Sequence, residues 1–97
     1  MEALRVLLIK EDDTWSAQCL EYDIGAQGDT IEKVTRRFKA VLDAERELSE
    51  EETGAPFGGI APAPDLYHKM WDSADSSLEP ESPYADNNTG IKMAIAA

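Results

Sequence analysis

Six carboxylates fall between positions 11 and 29: Glu11, Asp12, Asp13, Glu21, Asp23 and Asp29. Paired carboxylates can hold Mg²⁺ for phosphodiester hydrolysis, because a hard cation takes oxygen ligands and activates a bound water. Such a site would make the chain a metal-dependent, nuclease-like enzyme using the carboxylates of a hairpin turn and of the Glu21/Asp23 connector. Asp12 and Asp13, however, stand between two strand-like runs, where carboxylates at a turn tip are solvated. The expectation is therefore no metal site, with Glu11, Asp12, Asp13, Glu21 and Asp23 serving instead as an acidic partner-binding surface.

The remaining chemical side chains are sparse. His68 is the only histidine. With Asp65 and Asp72 on the same short segment it could act as an acid–base group, or equally be a surface residue. No second histidine or nucleophile stands at a motif spacing, so no catalytic residue is assigned and no enzyme is expected. Cys19 is the only cysteine. It shares a strand face with Trp15 and Ala17 and has no basic neighbour in sequence to lower its pKa, which reads as core. The glycines of Gly25-Ala26-Gln27-Gly28 precede a helix, but the pattern G-x-G-x-x-G is absent, as are a P-loop and zinc-ligand spacings. No cofactor is expected. A helix starting after Gly28 could bind an anion at its N-terminus, yet Asp29 and Glu32 already place negative charge there. Lys33, Arg36, Arg37 and Lys39 could touch RNA. Asp43, Glu45 and Glu47 follow directly, and the reading preferred is a solvated helix face.

Composition narrows the classes further. The chain has 97 residues with 20 acidic and 9 basic side chains, net charge −11. Residues 1–48 carry net −4 and residues 49–97 net −7. Phosphate binding needs clustered Lys and Arg, so direct DNA binding is not expected. An acidic surface keeps a protein dispersed and also steers a basic partner toward it. No run approaches the ~20 apolar residues of a membrane span. Met1-Glu2-Ala3-Leu4 has no basic n-region, and a lone cysteine fits a reducing compartment. These features together predict a cytoplasmic protein without membrane association. A chain of this length builds one core with little margin, which favours a homo-oligomer, a dimer or tetramer.

The elements that must position these residues can be read from periodicity. Ala3–Lys10 is a short Leu/Val/Ile-rich strand, and Glu11-Asp12-Asp13 is a turn. Thr14–Leu20 alternates, with Trp15, Ala17 and Cys19 on one face and Thr14, Ser16 and Gln18 on the other. The two strands make a hairpin. Glu21-Tyr22-Asp23 reads as a connector or a bulge, and Ile24–Gly28 as a third strand in which Gly25 and Gly28 allow backbone angles that other residues resist. From Asp29 to about Ser49 runs the strongest helix. Asp29 is its expected N-cap, Glu32 completes a capping-box-like start, and Gly28 and Thr30 belong to the same junction. Ile31, Val34, Phe38, Val41, Leu42 and Leu48 form its apolar stripe. Acidic residues oppose the helix dipole at the C-terminal end, so fraying is expected near Ser49–Glu52. Thr53–Pro64 is a Gly/Pro loop anchored by Phe57 and Ile60. Asp65–Ala74 is a short helix with Leu66, Met70 and Trp71 inward. Asp75–Gly90 is polar and turn-rich, and Ile91–Ala97 is a terminal strand that pairs beside the first. The order β-β-β-α-α-β predicts an α+β domain over residues 1–97, with a core motif in 1–48. Its sheet has three antiparallel strands plus a C-terminal strand, with the long helix packed on one face.

With Val6-Leu7-Leu8-Ile9, Glu11-Asp12-Asp13, Trp15 and Gly28-Asp29-Thr30-Ile31-Glu32 in view, residues 4–48 resemble the HicB-like antitoxin family. Lys33-Val34 departs from the family's usual Glu-Ala at the helix start. The resemblance implies a partial ribonuclease-H-like fold, β-β-β-α-β, without that fold's metal carboxylates. It further implies a protein that occludes a small basic RNA-cleaving HicA-like toxin. The family's common C-terminal DNA-binding domain is not seen in residues 49–97. Two functional classes follow: an acidic antitoxin-like or orphan oligomeric binding module, and, as the alternative, the metal-dependent nuclease-like enzyme.

Overall fold

A computed structural model describes residues 4–73, 76–78 and 91–96. The elements are β1 (Leu4–Glu11), β2 (Thr14–Cys19), β3 (Gly25–Gly28), α1 (Ile31–Thr53), α2 (Asp65–Asp72), β4 (Ser76–Leu78) and β5 (Ile91–Ile95). They form an α+β fold around one mixed sheet of order β3-β2-β1-β5-β4. β1 and β2 pair antiparallel from Val6↔Cys19 to Glu11↔Thr14. Only Asp12 and Asp13 are left to turn, and Asp12 takes a left-handed φ of 55°. β3 continues the meander on β2, with Trp15 opposite Gly28. β5 returns beside β1, as expected, and runs parallel to it from Leu4↔Ile91 to Leu8↔Ile95. β4 pairs antiparallel with β5 and adds a fifth strand inside a stretch whose polarity suggested only turns. Among the described residues no helix is long and apolar enough to cross a membrane.

The apolar run of β1 is explained by its place. It lies between β2 and β5 with a helix on either side, so both of its faces are covered and strict alternation is unnecessary. Leu4, Val6 and Leu8 join Ala17, Cys19, Ile91 and Met93 in a core closed by Val34 and Phe38 of α1. Full burial of a ring such as Phe38 contributes roughly 1.5–3 kcal/mol by transfer alone. Leu7 points the other way. It is buried with Leu20, Ala63 and Ala94 outside that cluster, on the face where α2 lies against β1.

α1 departs from its sequence reading at both ends. Its N-cap is Thr30, with an extended backbone and a side-chain oxygen that accepts from the Lys33 amide at 3.1 Å. Asp29 stands one residue outside, its carboxylate 3.2 Å from Lys33 Nζ. Glu32 lies in the first turn as the dipole favours, without the reciprocal bond of a capping box. At the other end the helix runs to Thr53 rather than fraying at Ser49. The buried Ser49 hydroxyl accepts the Phe57 amide at 2.6 Å, and Thr53 Oγ1 donates to the Ser49 carbonyl at 2.7 Å. Gly54 closes the end at φ 81°, its amide bonded to the Glu50 carbonyl. Those bonds outweigh the unfavourable charge of the last turn. The inward stripe ends in Ser49, while Leu48 is 48% exposed.

Gly25 and Gly28 were expected to supply unusual backbone angles, but neither has a positive φ. Gly28 is glycine for space: it is buried under the first turn of α1, where a Cβ would stand 2.8 Å from the Val34 nitrogen. At Gly25 a Cβ would meet the Ala17 carbonyl at 3.0 Å. Left-handed angles belong instead to Gly54, Gly59, Asp12 and Phe57. Phe57 and Ile60 both pack on the core as anticipated, and the Phe57 ring stacks on Tyr22 with centroids 4.5 Å apart. Leu66 of α2 was expected inward and is 62% exposed. Ala74 and Ala97, the expected ends of α2 and the last strand, lie outside the described residues, as do the ends of the Asp75–Gly90 stretch.

Candidate functional site

The five carboxylates proposed as a surface do not gather in one place. Glu11, Asp12 and Asp13 sit at the hairpin tip, all exposed. Glu21 and Asp23 lie beyond the far end of β2, about 17 Å away at strand rise. Glu21 is committed within the fold. Its carboxylate accepts from the Arg5 amide at 2.8 Å and from Arg5 Nε at 2.6 Å, tying the connector to β1. Asp23 accepts from the Gln18 side-chain amide at 3.0 Å. Among the described residues no three His, Cys, Asp or Glu side chains are placed to hold a metal ion.

His68 and Cys19 are also absorbed by the scaffold. His68 Nε2 lies 3.2 Å from the Ala63 carbonyl, and the Ala63 amide donates to Leu20 at 3.0 Å, so the pair pins the proline-flanked segment before α2. Cys19 is fully buried, and desolvation pushes its thiol pKa up, away from the reactive thiolate. Of the basic strip, Lys33 is held by Asp29 and Arg37 Nη1 donates to the Gln27 carbonyl at 2.9 Å. Arg36 is exposed, while Lys39 is half-buried.

A groove of ≈ 550 Å³ opens on the sheet face opposite α1. Its floor is the outward half of the alternation in β1, β2 and β3: Ile9 and Glu11, Ser16 and Gln18, Gly25 and Gln27. One wall is α2, which contributes Leu66, Tyr67 and Met70. α2 is only eight residues long and lies on β1, so among the described residues no helix covers the β2–β3 half of this face. Gly25 brings backbone to the floor without a side chain. The result is a shallow surface with apolar contacts at Ile9, Leu66 and Met70, amides at Gln18 and Gln27, hydroxyls at Ser16 and Tyr67, and a carboxylate at Glu11. Such a surface can bind a peptide-like segment through mixed apolar and polar contact. Among its described lining residues no nucleophile is paired with a base.

Of the carboxylates singled out by sequence, only Glu11 lines this groove. The others of the lining were missed because the groove exists only where α2 stops. A partial signal was present in Thr14, Ser16 and Gln18, the polar face of an alternating strand. The chain matches no protein-family model, and neither the curated proteins nor the solved structures offer a significant match.

Proposed function

We propose that this chain is a small acidic binding protein of the antitoxin type, acting in the cytoplasm. It would mask a small basic partner, such as a HicA-like RNA-cleaving toxin, by covering that partner's RNA-binding face. The observation that carries this reading is the groove between α2 and the β2–β3 face, with Leu66 exposed at its wall and Glu11 at its rim. An exposed leucine beside hydrogen-bonding side chains suits a protein surface. The net charge of −11 suits a basic partner through steering and rejection of acidic ones. The order β-β-β-α, with α2 and β4 preceding the strand that returns beside β1, contains the elements that the resemblance implies, although fold alone does not carry function. The nuclease-like alternative is disfavoured by the separation of the hairpin-tip carboxylates from Glu21 and Asp23.

Tagged protein co-expressed with a small basic protein encoded beside it tests the proposal. The expected result is a stable complex that suppresses RNA cleavage by the partner, weakened at least tenfold by Leu66→Asp or Glu11→Lys. Mg²⁺-dependent RNA cleavage by the purified chain alone, lost in Asp12→Asn, would overturn it.

A further inference from the structure

The outer face of α1, turned away from the sheet, has its own organisation. At helical spacing it begins with the exposed cations Lys33, Arg36 and Arg37. Its middle is small, with exposed Ala40 and Ala44. It ends with exposed Glu47 and Glu51 and with Leu48, one of two large apolar side chains left exposed among the described residues. On a 3.6-residue helix Lys33, Ala40, Ala44 and Glu51 fall on one line. Arg37 and Leu48 flank it on one side, Arg36 and Glu47 on the other.

We infer that this face is a self-complementary interface for a second copy of the chain, paired antiparallel across a two-fold axis between Ala40 and Ala44. The positions are symmetric about residue 42. When one copy is reversed, its Glu51 comes opposite Lys33 and its Glu47 beside Arg36. Its Leu48 comes beside the stem of Arg37, whose guanidinium is already fixed on Gln27. The axis makes every pairing occur twice, as an isologous contact requires. The alanines at the centre let the two helices approach without a bulky side chain between them. Asp43, the nearest other charge to the axis, is held within its own chain by Arg46 at 3.1 Å. A parallel pairing would instead set cations against cations and acids against acids.

Exposed ion pairs contribute little singly, and one helix pair covers less than a standard interface, so assembly occurs at micromolar concentrations. This inference does not rest on the groove, which lies on the opposite side of the sheet and stays open in the pair.

Sedimentation velocity on the full chain over a wide concentration range tests it. Wild-type mass rises toward twice the monomer, while Ala40→Glu with Ala44→Glu stays monomeric. Glu47→Arg weakens assembly by about tenfold, because the axis doubles each lost pair. Adding Arg36→Glu to Glu47→Arg restores it. Circular dichroism and thermal melts confirm folding of these variants, all at exposed helix positions. A wild-type monomer at every concentration, undiminished assembly of the double glutamate variant, or a charge swap that does not recover, overturns the inference.

Discussion

Gly28 lies so close beneath Val34 that a Cβ on the glycine would stand 2.8 Å from the Val34 backbone nitrogen. Strand β3 and the first turn of α1 therefore meet backbone to backbone, and backbone atoms cannot rotate aside. Gly28→Ala is expected to destabilise the protein by about 1–3 kcal/mol, as overpacking does. Urea unfolding measures it, and an unchanged midpoint would show that the junction is looser than described.

The helix cap makes a second prediction, because Thr30 and Asp29 are neighbours with different jobs. Thr30→Ala removes the acceptor of the Lys33 amide and is expected to cost about 1 kcal/mol. Asp29→Ala removes only an exposed ion pair and costs less. The Lys33 hydrogen bond and charge hold the Asp29 carboxyl below its usual range. A lowered folded-state pKa gives stability that is present above the unfolded value and lost as pH falls through the folded one. The difference between wild type and Asp29→Ala should therefore vanish in acid, below the ordinary carboxylate range. Equal losses for the two variants at neutral pH would place the cap at Asp29.

Phe57 combines a ring stacked on Tyr22 with a left-handed φ of 59°. Phe57→Ala loses the ring and keeps the strained backbone. Phe57→Gly loses the same ring but relieves about 1 kcal/mol of left-handed strain. Glycine is expected to be the milder substitution, the reverse of the order in a helix or strand. Thermal melts of the two variants decide it, and a more stable alanine variant would refute the backbone argument.

Cys19 yields a prediction about alkaline pH. Its folded pKa is raised, chiefly by burial. The stability linked to its protonated thiol is complete below the unfolded pKa and declines as pH rises from there toward the folded value. Wild type should lose stability relative to Cys19→Ala above about pH 8.5. The native thiol should also resist alkylation until the chain unfolds. Rapid labelling under native conditions would contradict the burial of this side chain.

Much of the architecture was legible because hydrophobic spacing and burial coincide in it. Trp15, Ala17 and Cys19 turn toward α1, Val34, Phe38 and Leu42 meet them, and Ile91 and Met93 close the sheet beside β1. The errors lie where two local signals compete. Asp29 and Thr30 are both good caps, and only the Lys33 bond distinguishes them. The acidic end of α1 looked weak because Ser49 gives no hint in sequence that Phe57, eight residues on, will bond to it. β4 escaped because Ser76-Ser77-Leu78 is too short to show a period, and its pairing depends on β5. The groove was illegible for a similar reason. Its floor comes from three strands and its wall from α2, and exposure of Leu66 follows from how those parts are set together.

The parallel pairing of β1 with β5 joins Leu4 to Ile91, from near opposite ends of the chain. The inner edge of β1 therefore stays unsatisfied through synthesis of every intervening residue, while the hairpin and α1 can already collapse. Loop closure over that distance is slow, and a bare apolar edge invites pairing with another chain. That edge of β1 is closed only when β5 is in place. A chain lacking Ile91–Ile95 would present the inner edge of Leu4–Leu8 without its parallel partner, a strand edge open to pairing with another chain.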